Sequence, residues 1–129
     1  WRIIIMAITH NDTLRNFVRA EIISKLGAAT AVLKLKNSSG TTLATISGLS
    51  VDATGTAGQF ALTSEAGGNM EDTSVDAGTA VTFSLETSDA SSAILGTVGT
   101  TGTDIVLSSN DFSDGDAVRI NSFTYTCMA

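Results

Sequence analysis

Residues 79–126 read TAVTFSLETSDASSAILGTVGTTGTDIVLSSNDFSDGDAVRINSFTYT, and this stretch decides the fold class. Val81, Phe83 and Leu85 alternate with Thr82, Ser84 and Glu86, which is the two-residue period of a strand with one buried face. The polar turn SDASS follows, and Ala93, Ile94, Leu95 and Val98 then begin a second strand. The run GTTGT breaks the chain before a third strand at residues 105–107. Beyond the acidic loop NDFSDGD, residues 117–126 read as one closing strand. It turns Val118 and Ile120 inward and then changes parity to Phe123 and Tyr125, which predicts a bulge near Asn121 and Ser122. Short alternating runs between polar turns, with no helical period, predict an antiparallel β-sandwich.

The same grammar extends upstream. Leu33 and Leu35 point one way and Val32, Lys34 and Lys36 the other, while NSSG at residues 37–40 signals a hairpin into a returning strand at residues 41–46. Leu49 and Val51 extend that strand or form the next. Residues 52–58 (DATGTAG) are a loop, and residues 59–63 carry Phe60 and Leu62 on a short strand. Residues 64–78 (SEAGGNMEDTSVDAG) form the longest polar segment and are expected to project. About eight strands in two sheets is the size of a jelly roll.

One helix is predicted, over residues 11–26. Leu14, Phe17, Val18, Ile22 and Leu26 recur on one face at the 3.6-residue period, Asn11 or Asp12 supplies a cap, and Gly27 suits the C′ position. Lys25 lies in the last turn, where the helix dipole favours a cation. Arg15 and Arg19 fall on the side away from the apolar stripe, so they are expected to face solvent or an acidic partner. Met6 opens MAITHND, a natural translation start, which leaves residues 1–5 as upstream sequence or part of a longer chain. Residues 1–10 are expected to form an extended arm whose Trp1, Ile3, Ile4 and Ile5 pair with a sheet or a neighbouring subunit, because such a segment left exposed invites aggregation. The expected organisation is a single domain: an arm at residues 1–10, a helix at 11–27 and a β-sandwich at 28–129.

Composition narrows the function classes. The 129 residues are 43% hydrophobic, 16% charged and 5% aromatic, with no proline, and their mean hydropathy is +0.25. Residues 1–36 hold six basic residues against two acids, a net +4, whereas residues 37–129 hold eleven acids against one base, Arg119, a net −10. An acidic chain of net charge −6 argues against nucleic-acid binding, which needs cations to displace phosphate counterions. The division favours head-to-tail contact between copies, or a basic foot on an acidic partner. The single cysteine, Cys127, has no internal disulfide partner and is expected to be a free thiol, an intermolecular bridge being the alternative. The apolar run at residues 3–8 is too short to span a bilayer or to serve as an ordinary signal peptide.

Chemical constellations are sparse. The lone histidine, His10, precedes the helix, and with Cys127 it falls short of the three or four ligands a zinc site requires. Gly96, Gly99 and Gly102 lack the Lys-Ser/Thr of a phosphate loop and read as turn residues. Asp111, Asp114 and Asp116, all in NDFSDGD, are the candidate ligands for a hard cation such as calcium, but the spacing is not that of an EF-hand and Asp114-Gly115 is also an ordinary turn dipeptide. Glu71, Asp72 and Asp76 form a second acidic group, expected to be solvated.

Two stretches resemble a family of small tailed-bacteriophage virion proteins. The first is LRNFVRAEIISKLGAATAVLKLKNSSGTTLATISGLS, residues 14–50. The second is ILGTVGTTGTDIVLSSNDFSDGDAVRINSFTYT, residues 94–126. Together they span about half of the chain, and residues 51–78 show no likeness. The resemblance implies a jelly-roll capsid decoration (cement) protein that sits on the virion surface and bridges adjacent major capsid proteins. It implies a non-enzymatic, self-associating protein, a homotrimer first and a dimer next, with no cofactor, nucleic acid or membrane. The contact residues expected on this reading are Trp1, Ile3, Ile4, Ile5, Arg15 and Arg19. A phage tail, neck or fibre component with a host-receptor-binding role is the alternative.

Overall fold

The computed structural model describes residues 8–27, 31–91 and 93–127. It is mainly β and sandwich-like, with one helix ahead of the strands, as the alternation predicts. The strands are β1 (Ala31–Lys36), β2 (Thr42–Ala53), β3 (Gln59–Ser64), β4 (Met70–Asp72), β5 (Gly78–Thr79), β6 (Thr82–Glu86), β7 (Ala93–Gly99), β8 (Ile105–Val106), β9 (Asp111–Phe112), β10 (Val118–Ile120) and β11 (Thr124–Thr126), and the helix α1 is Asp12–Leu26. Seven strands form one curled sheet in the order β11-β3-β2-β1-β6-β7-β8, and β10-β4 and β5-β9 form two separate two-stranded ladders.

The centre of the large sheet follows directly from its side chains. Ala31, Leu33 and Leu35 of β1 are each no more than 1% exposed. They stand opposite Leu49, Ile46 and Ala44 of β2, and Leu33 and Leu35 stand opposite Leu85 and Phe83 of β6. The β1–β2 hairpin is set by Asn37, whose Oδ1 accepts the amides of Ser39 and Thr41 at 3.0 and 2.9 Å, an Asx turn that adds to the main-chain bonds Gly40 N to Asn37 O and Asn37 N to Thr41 O. β2 runs for twelve residues, so Leu49 and Val51 extend it rather than starting a new strand. Phe60 of β3 is fully buried and stacks on Tyr125 with ring centroids 5.2 Å apart. Phe83 meets Phe123 edge to face at 5.7 Å. These two aromatic pairs tie the last strand to the sheet on one side and across its concavity on the other.

Four local expectations are corrected. The strand at residues 117–126 is two strands: β10 pairs with β4 and β11 with β3, so the parity change marks a chain leaving one ladder for the other sheet, not a bulge. Residues 64–78 do not project. Met70 and Val75 are 8% and 1% exposed, and the segment is held by Val75 N donating to Asp116 O and Asp76 N to Leu43 O. β6 is buried on both faces, because Ser84 and Glu86 are enclosed as well as Phe83 and Leu85. β7 and β8 pair in parallel, not antiparallel. Asp104 permits that pairing: its Oδ2 accepts the Thr97 amide at 2.9 Å and the Thr97 hydroxyl at 3.0 Å, holding the intervening turn against the strand it leaves.

Candidate functional site

Two surfaces stand out from the remainder of the molecule, and the first is made by α1. The capping forecast holds: Asn11 Oδ1 accepts the Leu14 amide at 3.0 Å, and Gly27, at φ 75°, closes the helix by donating to Ile23 O. The forecast of its buried face holds at Ile22 and Leu26 and fails at Leu14, Phe17 and Val18. Arg15, Asn16, Arg19, Ile22, Ile23 and Leu26 face the sheet, whereas Leu14, Phe17 and Val18 are 45%, 63% and 40% exposed.

The cause is the turn between β2 and β3, which offers the helix main-chain groups instead of an apolar seat. One guanidinium nitrogen of Arg19, NH1, lies 3.3, 3.2 and 3.3 Å from the carbonyl oxygens of Thr54, Thr56 and Gln59. Asn16 Oδ1 accepts the Gly58 amide at 2.9 Å. Arg15 donates to the Cys127 carbonyl and to Asp12, each at 3.4 Å. Gly58 is required here twice over: its φ is +72°, and a Cβ would come within 3.0 Å of Arg15 Cβ. The polar first half of the helix is thus clamped to a turn and to the chain beyond β11, while Ile22, Ile23 and Leu26 of the second half reach the core. The expectation that Arg15 and Arg19 point to solvent is overturned. The outward face is instead an apolar strip, continued at the helix entry by Ile8, which is 87% exposed. Trp1, Ile3, Ile4 and Ile5 lie outside the described residues.

The second surface is a groove of about 790 Å³ along the unclosed seam of the curled sheet. One rim is β7 and β8 and the other is β10 and β11. Phe83, Ile94, Phe112 and Phe123 line it, and Asp104, Asp111, Asp116 and Arg119 are its charged members. Gly96 is essential to its floor, since a Cβ there would fall 2.3 Å from Phe83 Cε1 and 2.8 Å from Asp104 Oδ2. The amide and hydroxyl of Thr97 hold the Asp104 carboxyl below the usual carboxylate range.

The acidic loop is organised by its own turn. Asp111 accepts the Thr79 hydroxyl, and Asp116 Oδ2 accepts the Ser113 amide at 2.8 Å. Asp111, Asp114 and Asp116 are not gathered around a common point: no three His, Cys, Asp or Glu side chains converge as metal ligands among the described residues. A buried ion pair that the sequence reading missed lies across the β1–β6 ladder. Lys34 contacts Glu86, and Ser84 Oγ donates to the other carboxylate oxygen at 2.9 Å. The Lys34 ammonium, with help from the Ser84 hydroxyl, holds the Glu86 carboxyl below its ordinary range against the opposing effect of burial. Lys34 stands opposite Ser84 and Glu86 opposite Val32, so the pair is diagonal across the ladder. Cys127 is a free, buried thiol. No described helix is long and apolar enough to cross a membrane. No family model, curated protein or solved structure matches the chain.

Proposed function

We propose that this chain is a non-enzymatic structural protein of a phage particle, a decoration (cement) protein bound to the outer surface of the head. It bridges adjacent major capsid proteins and acts as a self-associated unit, a homotrimer on a local three-fold axis. The observation that carries this reading is the outward apolar strip of α1, where Leu14, Phe17 and Val18 are presented on a helix clamped by Arg15, Asn16 and Arg19. An exposed aromatic on a rigid support is what a docking surface needs, because ordering entropy is already spent before contact. The resemblance of residues 14–50 and 94–126 to small virion proteins supports the assignment to a particle. Each bound copy adds buried apolar area across a subunit junction, and internal pressure must break that contact before the shell separates.

The test is the stoichiometry of the protein against the major capsid protein in purified virions, with a Phe17→Asp variant beside the wild type. A ratio near one-to-one or a simple fraction, lost in the variant, is the expected result. A few copies per particle would place the protein in the tail, neck or fibre instead, and the bridging mechanism would fall with the head assignment.

A further inference from the structure

The groove has a property that its side-chain lining alone does not convey: among the described residues, both rims carry main-chain groups without a partner. Val98 N donates to Val81 O, which sets the alternation along β6 and β7. In an antiparallel ladder bonded and non-bonded pairs alternate, so Ile94 and Gly96 bond to β6 while Ala93, Leu95 and Thr97 turn their amides and carbonyls outward. The Thr97 amide is taken by Asp104. The amides and carbonyls of Ala93 and Leu95 have no partner among the described residues. On the other rim, Leu62 N donates to Phe123 O and Cys127 N to Gly58 O. By the same alternation Thr124 and Thr126 turn their main chain away from β3 and toward the seam. The Ala93–Gly99 rim has no charge and no proline, two of the devices by which proteins guard a sheet edge.

We propose that this groove is a strand acceptor, and that its occupant is a second copy of this chain, entering through the segment that precedes its Ile8. Two rims of outward amides and carbonyls fit extended polypeptide, which satisfies them by main-chain bonding while alternate side chains settle on Phe83, Ile94 and Phe123 between the polar groups of the lining. The seam lies between two edges of the same sheet, so a strand with its own sheet attached would collide with the far rim. An arm is needed, and the segment before Ile8 has the composition for one. Residues 1–7 (WRIIIMA) lie outside the described residues. They hold three consecutive β-branched isoleucines and a single charge, Arg2. Seven extended residues reach about 23 Å, and the four steps from Ala93 to Thr97 need only about 13 Å. Charge favours the match: the groove carries three acids, Asp104, Asp111 and Asp116, against Arg119, and the arm brings a cation. The entry to the helix favours a donor in trans, since Ile8 is 87% exposed and does not pack on its own barrel. Donor and acceptor are different surfaces, so the contact is head-to-tail and closes as a ring of two or three copies. The inference concerns self-association alone and does not depend on what the assembly binds.

The test is light scattering of the full chain over a dilution series, with two variants. Leu95→Pro removes one outward amide without touching a bond to β6. Ile4→Asp places a charge among the three isoleucines of residues 1–7. Wild type is expected to be a concentration-dependent assembly of 13.2 kDa chains. Each variant is expected to weaken it by about tenfold or more while keeping a cooperative melt. Mixing the two should restore a species of two chains, because Leu95→Pro retains a donor arm and Ile4→Asp retains an acceptor groove. Several results would overturn the proposal: a single-chain mass for wild type throughout, an assembly indifferent to Ile4→Asp, no recovery on mixing folded variants, or an assembly dissolved by Phe17→Asp instead. The head assignment is read separately from the virion stoichiometry, whereas a single-chain mass would also remove the homotrimer from the proposed function.

Discussion

Replacing Arg19 by methionine keeps most of the aliphatic stem and removes the guanidinium. In the structure that group places one nitrogen between three carbonyl oxygens at 3.2–3.3 Å. Hydrogen bonds to a charged group contribute about 1.5–3 kcal/mol each under good geometry. Here one nitrogen with two protons serves three acceptors, the distances are long, and the side chain is half-buried, so the whole clamp is assigned about 1–2 kcal/mol. At a urea slope of about 2 kcal/mol/M, the middle of the range usual for small proteins, the unfolding midpoint falls by roughly 0.5–1 M with the slope unchanged. Lys25→Met is the control on the solvent side of the same helix, and an exposed substitution of that kind moves stability by no more than about 0.5 kcal/mol. Amide exchange should also accelerate at Gly58, whose N–H is held by Asn16, and at Gln59, whose N–H closes the turn on Thr56 O. If Arg19→Met matches Lys25→Met in midpoint and leaves the turn amides protected, the inward orientation of the helix is wrong. The outward apolar strip would be wrong with it.

Three further outcomes are expected. Gly96→Ala forces a methyl into Phe83 and Asp104 and should destabilise by about 1–3 kcal/mol, read as a lower midpoint; an unchanged midpoint would mean that the Phe83 ring is free to move. Phe17→Asp should leave the melt within about 0.5 kcal/mol of wild type while abolishing particle binding, and a large stability loss would show that the strip is core rather than surface. Glu86 titrates below its ordinary value of 4.5 in the folded protein because of Lys34. Its contribution is therefore complete above about pH 4.5 and is lost as pH falls through the lower folded value. Urea midpoints measured downward from neutral pH should decline less steeply for Glu86→Gln than for wild type, and parallel profiles would remove the pair from the acid response.

How far the sequence could be read depended on whether the deciding partner was local. Asn11 and Gly27 act on their own helix, and both were legible as caps. Asn37 likewise announces its hairpin by bonding two and four residues ahead. The strand alternations of β1 and β3 record which side meets a core, and these too were legible. The face that α1 buries was not, because periodicity weighs apolar residues and cannot register that Thr54, Thr56, Gln59 and Cys127 would present carbonyls to it. The split of residues 117–126 left a parity change in the sequence, but a bulge and a passage between sheets produce the same change. Residues 64–78 concealed Met70 and Val75, two lone apolar residues in a polar run, and two residues are too few to show a period. The groove had no signal at all, since a seam is the spacing between strands rather than a property of any one of them.

The contact between Arg15 and the Cys127 carbonyl joins positions 112 residues apart, and it constrains how the protein can be made. The helix emerges early from the ribosome, but one side of its seat is the chain that follows β11. Until residue 127 has been synthesised, Arg15 and the adjoining turn lack that support, β3 lacks its outer neighbour, and Phe83 lacks Phe123. The helix can dock on the β2–β3 turn once residue 59 has been made, but Arg15 lacks one of its partners until residue 127 arrives. Closure of so long a loop is slow, and exposed apolar surface is open to non-native association in the interval.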